Sequence, residues 1–188
     1  MRSWFQAGLA GIALVLTGCA TSIEDSVESI PTRTFFTIMP DAVGALTPET
    51  AYSARAIQET LPGYTAETIT SAVEARTVSA FGVFTEGIQV LQVHRGRNGK
   101  IGPIHGVTHH LSGPNGERIG STFGALRIDR NDCRVGRNLW RGMALCSARG
   151  TENITLVFAI PQYQGPFDRL APDDELRNAV LQRIVWQP

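Results

Sequence analysis

A chain of 188 residues, 43% apolar and 18% charged with 17 basic against 17 acidic side chains, is long enough for one globular domain. It has neither the low hydrophobicity nor the high net charge of a disordered segment. The overall balance hides a local imbalance: residues 94–149 carry ten basic and three acidic side chains, a net charge of +7, while residues 19–93 carry three arginines against nine acids.

The first element is a leader. Arg2 precedes an apolar stretch over residues 4–16 that ends in Leu16-Thr17-Gly18-Cys19. A positive start, an apolar run and small residues at the cut make residues 1–18 a secretory signal peptide. The run is shorter than the roughly 20 apolar residues a bilayer span requires, and Gln6, Gly8 and Gly11 interrupt it. The last four residues read as a lipobox. Similarity to bacterial lipoprotein signals implies that Cys19 becomes the first mature residue and carries a diacylglyceryl thioether and an amide-linked acyl chain. Ala20 in place of an aspartate implies, by the same resemblance, sorting to the outer membrane. More than one acyl chain holds a protein stably on a membrane, so the expected location is the periplasmic face of the outer membrane, lipid-anchored. Cleavage leaves 170 of the 188 residues.

Residues 19–42 read as a tether, polar at first, then with Pro31 and Pro40 framing an apolar Phe35-Phe36-Thr37-Ile38 able to dock as an edge strand. Residues 43–188 read as a single α+β domain, mainly antiparallel sheet. Thr47-Pro48-Glu49 predicts a helix start, with threonine as N-cap and proline in the first turn, running to about Leu61 before Pro62-Gly63. Residues 64–73, 76–84, 88–94 and 101–109 are rich in Val, Ile, Thr and Phe and predict a meander. Its turns are Glu86-Gly87 and Asn98-Gly99, the latter the strongest hairpin signal in the chain. Residues 119–126 read as a short helix capped by Ser121, followed by an arginine-rich loop. A second hairpin is expected from residues 143–149 and 153–160 around Gly150. Asp173-Asp174-Glu175-Leu176 reads as a helical turn, with acids suited to its N-terminal end. Val180, Ile184 and Trp186 mark a final strand.

Beyond Cys19 two cysteines remain, Cys133 and Cys146. In an oxidising compartment an even pair reads as a disulfide, worth about 3 kcal/mol in the chain-entropy model. The alternatives are two unpaired buried thiols or a zinc site, and the latter lacks a histidine close in sequence.

The chemistry-bearing residues are sparse. His94, His105, His109 and His110 lie close together, and His105 and His109 share one face if residues 101–109 form a single strand. That makes them the candidate metal ligands, although a catalytic zinc site takes three protein ligands and no carboxylate accompanies them before Glu117. No G-x-S-x-G elbow occurs, and residues 116–124 lack the lysine of a phosphate loop. Arg127, Arg130, Arg134, Arg137 and Arg141 are candidate contacts for an anionic partner, since arginine forks match carboxylate and phosphate geometry.

The run Ile119-Gly120-Ser121-Thr122-Phe123, the two cysteines, Gly165-Pro166, Leu170-Ala171-Pro172-Asp173-Asp174, Leu176 and the terminal Ile184-Val185-Trp186 resemble the RpoE-regulated lipoprotein family. Upstream, Val43-Gly44-Ala45-Leu46-Thr47, Ala56-Ile57 and Gly63-Tyr64 fit the same pattern, so the resemblance spans residues 43–188. It implies an envelope location, a lipid anchor and the disulfide, and it brings no catalytic residue. The expectation is a non-enzymatic binding module serving envelope maintenance under stress. Its partners are the membrane and an envelope protein, lipopolysaccharide or a cell-wall component, with no nucleic acid and no cofactor beyond the lipid on Cys19. The second reading is a metal-dependent envelope hydrolase using His105 and His109.

Overall fold

The computed structural model describes residues 33–188; the residues read as signal peptide, Cys19 and the part of the expected tether through residue 32 lie outside the described residues. In chain order the elements are β1 (Phe36–Thr37), α1 (Ala54–Thr60), β2 (Thr65–Ala72), β3 (Thr77–Thr85), β4 (Ile88–Arg95), β5 (Ile101–Gly106), β6 (Leu111–Ser112), α2 (Phe123–Leu126), β7 (Cys133–Val135), β8 (Ala144–Ser147), β9 (Ile154–Ala159), α3 (Asp173–Arg177) and β10 (Val180–Trp186). Eight strands form one antiparallel sheet in the order β2-β3-β4-β5-β10-β9-β8-β7, and β1 pairs in parallel with β6. This is the expected α+β class with antiparallel sheet dominant.

The meander forms because its turns accept left-handed backbone. Glu86 and Gly87 sit at φ 51° and 76°, and Asn98 and Gly99 at 52° and 71°, the geometry that lets a tight turn match strand twist. The last strand is not peripheral. β10 lies between β5 and β9, pairing Val185 with His105 on one side and with Thr155 on the other, so the chain end joins the two hairpins into one sheet.

Alternation along each strand gives the sheet two unlike faces. On the first, Leu91, Val93, Ile104, Leu156, Phe158, Ile184 and Trp186 pack with Ile57 of α1, Phe123 of α2 and Leu176 of α3. Ile38, Val43 and Leu46 of the incoming chain join the same core, and the Trp186 indole N–H donates to the Pro40 carbonyl at 3.0 Å. Residues read as tether therefore close this face: Phe36 and Thr37 pair with Leu111 and Ser112. Each fully buried aliphatic side chain here stabilises by about 1.5–3 kcal/mol.

Four local expectations are corrected. The first helix starts at Ala54, capped by the Ser53 hydroxyl accepting from the Ala56 N–H, not at Thr47. Residues 50–52 instead bond to the β4–β5 hairpin, with Tyr52 N–H donating to Gly99 O and Ile101 N–H to Thr50 O; sheet extension outcompetes a helix turn that packs nothing. The second helix is capped by Thr122 rather than Ser121, because Gly120 and Ser121 exchange backbone hydrogen bonds with Leu181. The strand predicted for residues 101–109 stops at Gly106, which takes His109 off it. Within the arginine-rich loop, β7 forms because Cys133 stands opposite Cys146 on β8 and the two are disulfide-bonded.

Candidate functional site: a polar layer under an arginine-bearing arm

The second face is polar at its centre. Register places His105 of β5 between Gln92 of β4 and Val185 of β10, with His94, Ser71 of β2 and Arg183 of β10 around it. His94 donates from Nδ1 to the Pro103 carbonyl at 3.0 Å, so its neutral ring accepts at Nε2. The single Ser71 hydroxyl proton faces both that nitrogen at 2.9 Å and Gln92 Oε1 at 2.7 Å. Arg183 Nη1 donates to the same Gln92 oxygen at 2.9 Å, and the Gln92 amide donates to Gln89 at 3.1 Å. Ser71 next to an imidazole has the composition of a nucleophile and its base, but it is buried and its hydroxyl is engaged by Gln92 and His94.

His105 is equally buried, at 2%, with its ring 4.3 Å from His94 and 5.6 Å from Trp140 between centroids. Its Nδ1 is sealed and has no hydrogen-bond partner, the one such buried side-chain atom among the described residues. Burial pushes the His105 pKa down to about 2, with His94 and Arg183 adding to the effect. Burial also lowers His94, partly offset by its bond to Pro103, with Arg183 lowering it further. Both rings are neutral at physiological pH.

An arm covers this layer. It consists of β7 and the 3-10 turn Asn138–Trp140, and it is fastened to the β2–β3 turn by Glu74. Arg134 Nη1 and Nη2 each donate to a Glu74 oxygen at 2.7 Å, and the Arg137 backbone N–H donates to Oε1 at 2.8 Å. The Leu139 N–H closes on the Glu74 carbonyl at 3.1 Å. The Arg134 side-chain bonds, outweighing partial burial and joined by the Arg137 N–H, hold the Glu74 carboxyl below the usual range. Trp140, Leu145, Val157 and Val185 form a small second core beneath. Gly136 is required for this closure: a Cβ there would collide with the Trp140 carbonyl and reach Leu145 Cδ1 at 2.9 Å.

Two clefts flank the arm. One, of about 260 Å³, has walls of Val73, Pro103, His105, Trp140 and Leu145, with Arg134 and Glu74 at its lip. The other, of about 420 Å³, is lined by Arg134, Arg137, Arg141, Phe167 and Asp168. A larger cleft of about 570 Å³ at the β4–β5 hairpin is bounded mainly by exposed Glu49, Arg97, Asn98 and Pro188 and contains no buried polar group.

The five arginines do not form one patch. Arg127 and Arg130 line a separate cleft beside α2 and α3, where Arg130 pairs with Asp173 at 2.8 Å. Arg134 is committed to Glu74. Arg137 and Arg141 have no carboxylate within 4 Å among the described residues, and the Arg141 guanidinium lies 5.9 Å from the Phe167 ring centre. Phe167 and Leu139 are 36% and 50% exposed.

The pairing of His105 with His109 as metal ligands is overturned. His105 faces the polar layer, whereas His109 is exposed beyond the end of β5, its ring tilted against that of His110 at 4.1 Å between centroids. No group of three His, Cys, Asp or Glu side chains among the described residues is arranged to hold a metal. Sequence reading missed Ser71, Glu74, Gln92, Trp140 and Arg183, whose partners lie on other elements; the tryptophan set between Arg137 and Arg141 is the one signal that could have pointed to any of them.

Relatives share the fold. The Escherichia coli (strain K12) protein named "Uncharacterized protein YfeY" is 25% identical over 185 residues, covering 95% of this chain and 96% of the relative. The crystal structure of the uncharacterized protein yfeY from Escherichia coli matches with a TM-score of 0.66 at 21% identity, over 81% of this chain and 99% of that one. Residues 32–188 match the model of the family described as "Protein of unknown function (DUF1131)", and the chain belongs to that family.

Proposed function

We propose that this protein is a lipid-anchored binding module on the periplasmic face of the outer membrane, an RpoE-regulated lipoprotein that holds an anionic envelope component. The anchor rests on Leu16-Thr17-Gly18-Cys19 behind its apolar run and on Ala20. The Cys133–Cys146 disulfide suits an oxidising compartment. The observation that carries the binding role is the pair Arg137 and Arg141, with no carboxylate within 4 Å among the described residues and beside exposed Phe167 and Leu139. Guanidinium groups next to apolar side chains suit a ligand that combines phosphate or carboxylate with hydrocarbon.

The test uses the non-lipidated mature chain, Cys19→Ala, and vesicles containing phosphatidylglycerol. Binding should fall steeply with added salt. At about 1 kcal/mol for each basic residue at an anionic surface, reversing both charges in Arg137→Glu/Arg141→Glu weakens binding by roughly thirtyfold or more. Arg127→Glu, on the other cleft, serves as the control. Binding that ignores both salt and the double reversal refutes the assignment.

A further inference from the structure

We infer that the cleft of about 260 Å³ between the β2–β3 turn, β5 and the Trp140 turn is a binding site for a small monocarboxylate with a flat apolar body. The site makes no use of Arg137 or Arg141, so it stands or falls separately from the anionic surface proposed above.

Three observations converge on it. The first is His105, buried yet lining the cleft. Buried polar atoms in folded proteins are almost always bonded, and the sealed His105 Nδ1 is not. A bare lone pair tolerates that isolation better than an orphaned N–H, so the proton of the neutral ring sits on Nε2, which is not sealed. Nε2–H is a donor awaiting an acceptor. The second is charge. Arg183, half-buried in the same layer, does not line the cleft itself, but its charge acts on His105; Gln92 is its side-chain partner, and it has no carboxylate within 4 Å among the described residues. Glu74 at the lip does not offset it, because Arg134 and the Arg137 N–H occupy its carboxylate. An uncompensated guanidinium in a partly desolvated layer favours a bound anion. The third is shape. Pro103, Val73 and Leu145 give apolar walls and the Trp140 indole an aromatic one. The volume is below the roughly 300–1,000 Å³ typical of drug-sized ligands, which limits the occupant to about one ring or a short chain.

The experiment titrates the intact mature protein, labelled with nitrogen-15, with benzoate, following the imidazole nitrogens and the Trp140 indole N–H by NMR. The expected result is His105 as its Nε2–H tautomer, saturable shifts of both His105 and Trp140, and at least tenfold weaker binding of benzyl alcohol, which has the ring without the charge. His105→Phe keeps a ring and removes the donor, and should weaken benzoate at least tenfold and by more than it weakens benzyl alcohol. Trp140→Leu, nearer the surface, gives a second variant should His105→Phe fail to fold. An Nδ1–H tautomer, shifts that do not saturate, equal binding of the alcohol, or unaltered benzoate binding by a folded His105→Phe each overturn the proposal.

Discussion

Glu74 fastens the arm to the far end of the sheet with two side-chain bonds from Arg134 and one backbone bond from Arg137. Its carboxyl stays ionised in the fold to lower pH than in the unfolded chain. It therefore contributes stability above the ordinary carboxylate pKa, and that contribution is lost as pH falls through the depressed folded value. Glu74→Gln should cost about 1 kcal/mol or less at neutral pH, since Arg134 is more than half exposed, and the cost should shrink as pH falls; urea unfolding at pH 7 and in acid checks both. His105 acts with the same sign through a different route. The unfolded chain takes up a proton below the ordinary imidazole value of 6.5, while the folded ring does not until about 2. Stability thus declines on acidification below about pH 6.5, by up to about 1.4 kcal/mol per pH unit from this one group. His105→Phe should flatten that slope between pH 6.5 and 5, and an unchanged slope would show the ring protonating in the fold.

At the scale of elements, the arm depends on a glycine and the first helix on a serine. Gly136→Ala forces its Cβ against the Trp140 carbonyl, so the 3-10 turn must shift; hydrogen exchange of the Trp140 and Met143 amides should accelerate while amides of β4 and β5 keep their protection. Ser53→Ala removes the N-cap of α1 and should cost about 1 kcal/mol in thermal or urea unfolding. The meander was legible in advance because its signals are local: Glu86-Gly87 and Asn98-Gly99 dictate turns wherever they occur. The starts of α1 and α2 were not. Thr47-Pro48 and Ser121 are competent caps, but backbone pairing of residues 50–52 and 120–121 with distant strands claims those segments first. The polar layer was hidden for the same reason. Ser71, Gln92, His94, His105 and Arg183 come from four strands, and only the order β2-β3-β4-β5-β10 brings them together. His105 and His109, four apart and apparently aligned, are separated by the end of a strand at Gly106.

For the whole molecule, the disulfide and the sheet order act together. Cys133–Cys146 pins β7, the edge strand that carries the arm, to β8. Reduction or Cys133→Ala/Cys146→Ala should lower stability by about 3 kcal/mol on loop entropy alone. Loss should concentrate in β7 and the Asn138–Trp140 turn, detectable as selective amide exchange there. The opposite edge, β2, is backed by α1, with Gln58 accepting from the Ala66 N–H at 2.9 Å, so the sheet presents its arm on one side and a braced edge on the other. The proposed binding role takes its address from lipidation at Cys19. The most direct measurement is the non-reduced mass of the protein extracted from membranes, with its N-terminal peptide sequenced. The expected chain begins at Cys19, carries a diacylglyceryl group and an amide-linked acyl chain, and is lighter by two hydrogens for the Cys133–Cys146 bond. A chain that retains residues 1–18, or one that begins at Cys19 without lipid, would contradict the anchored binding module.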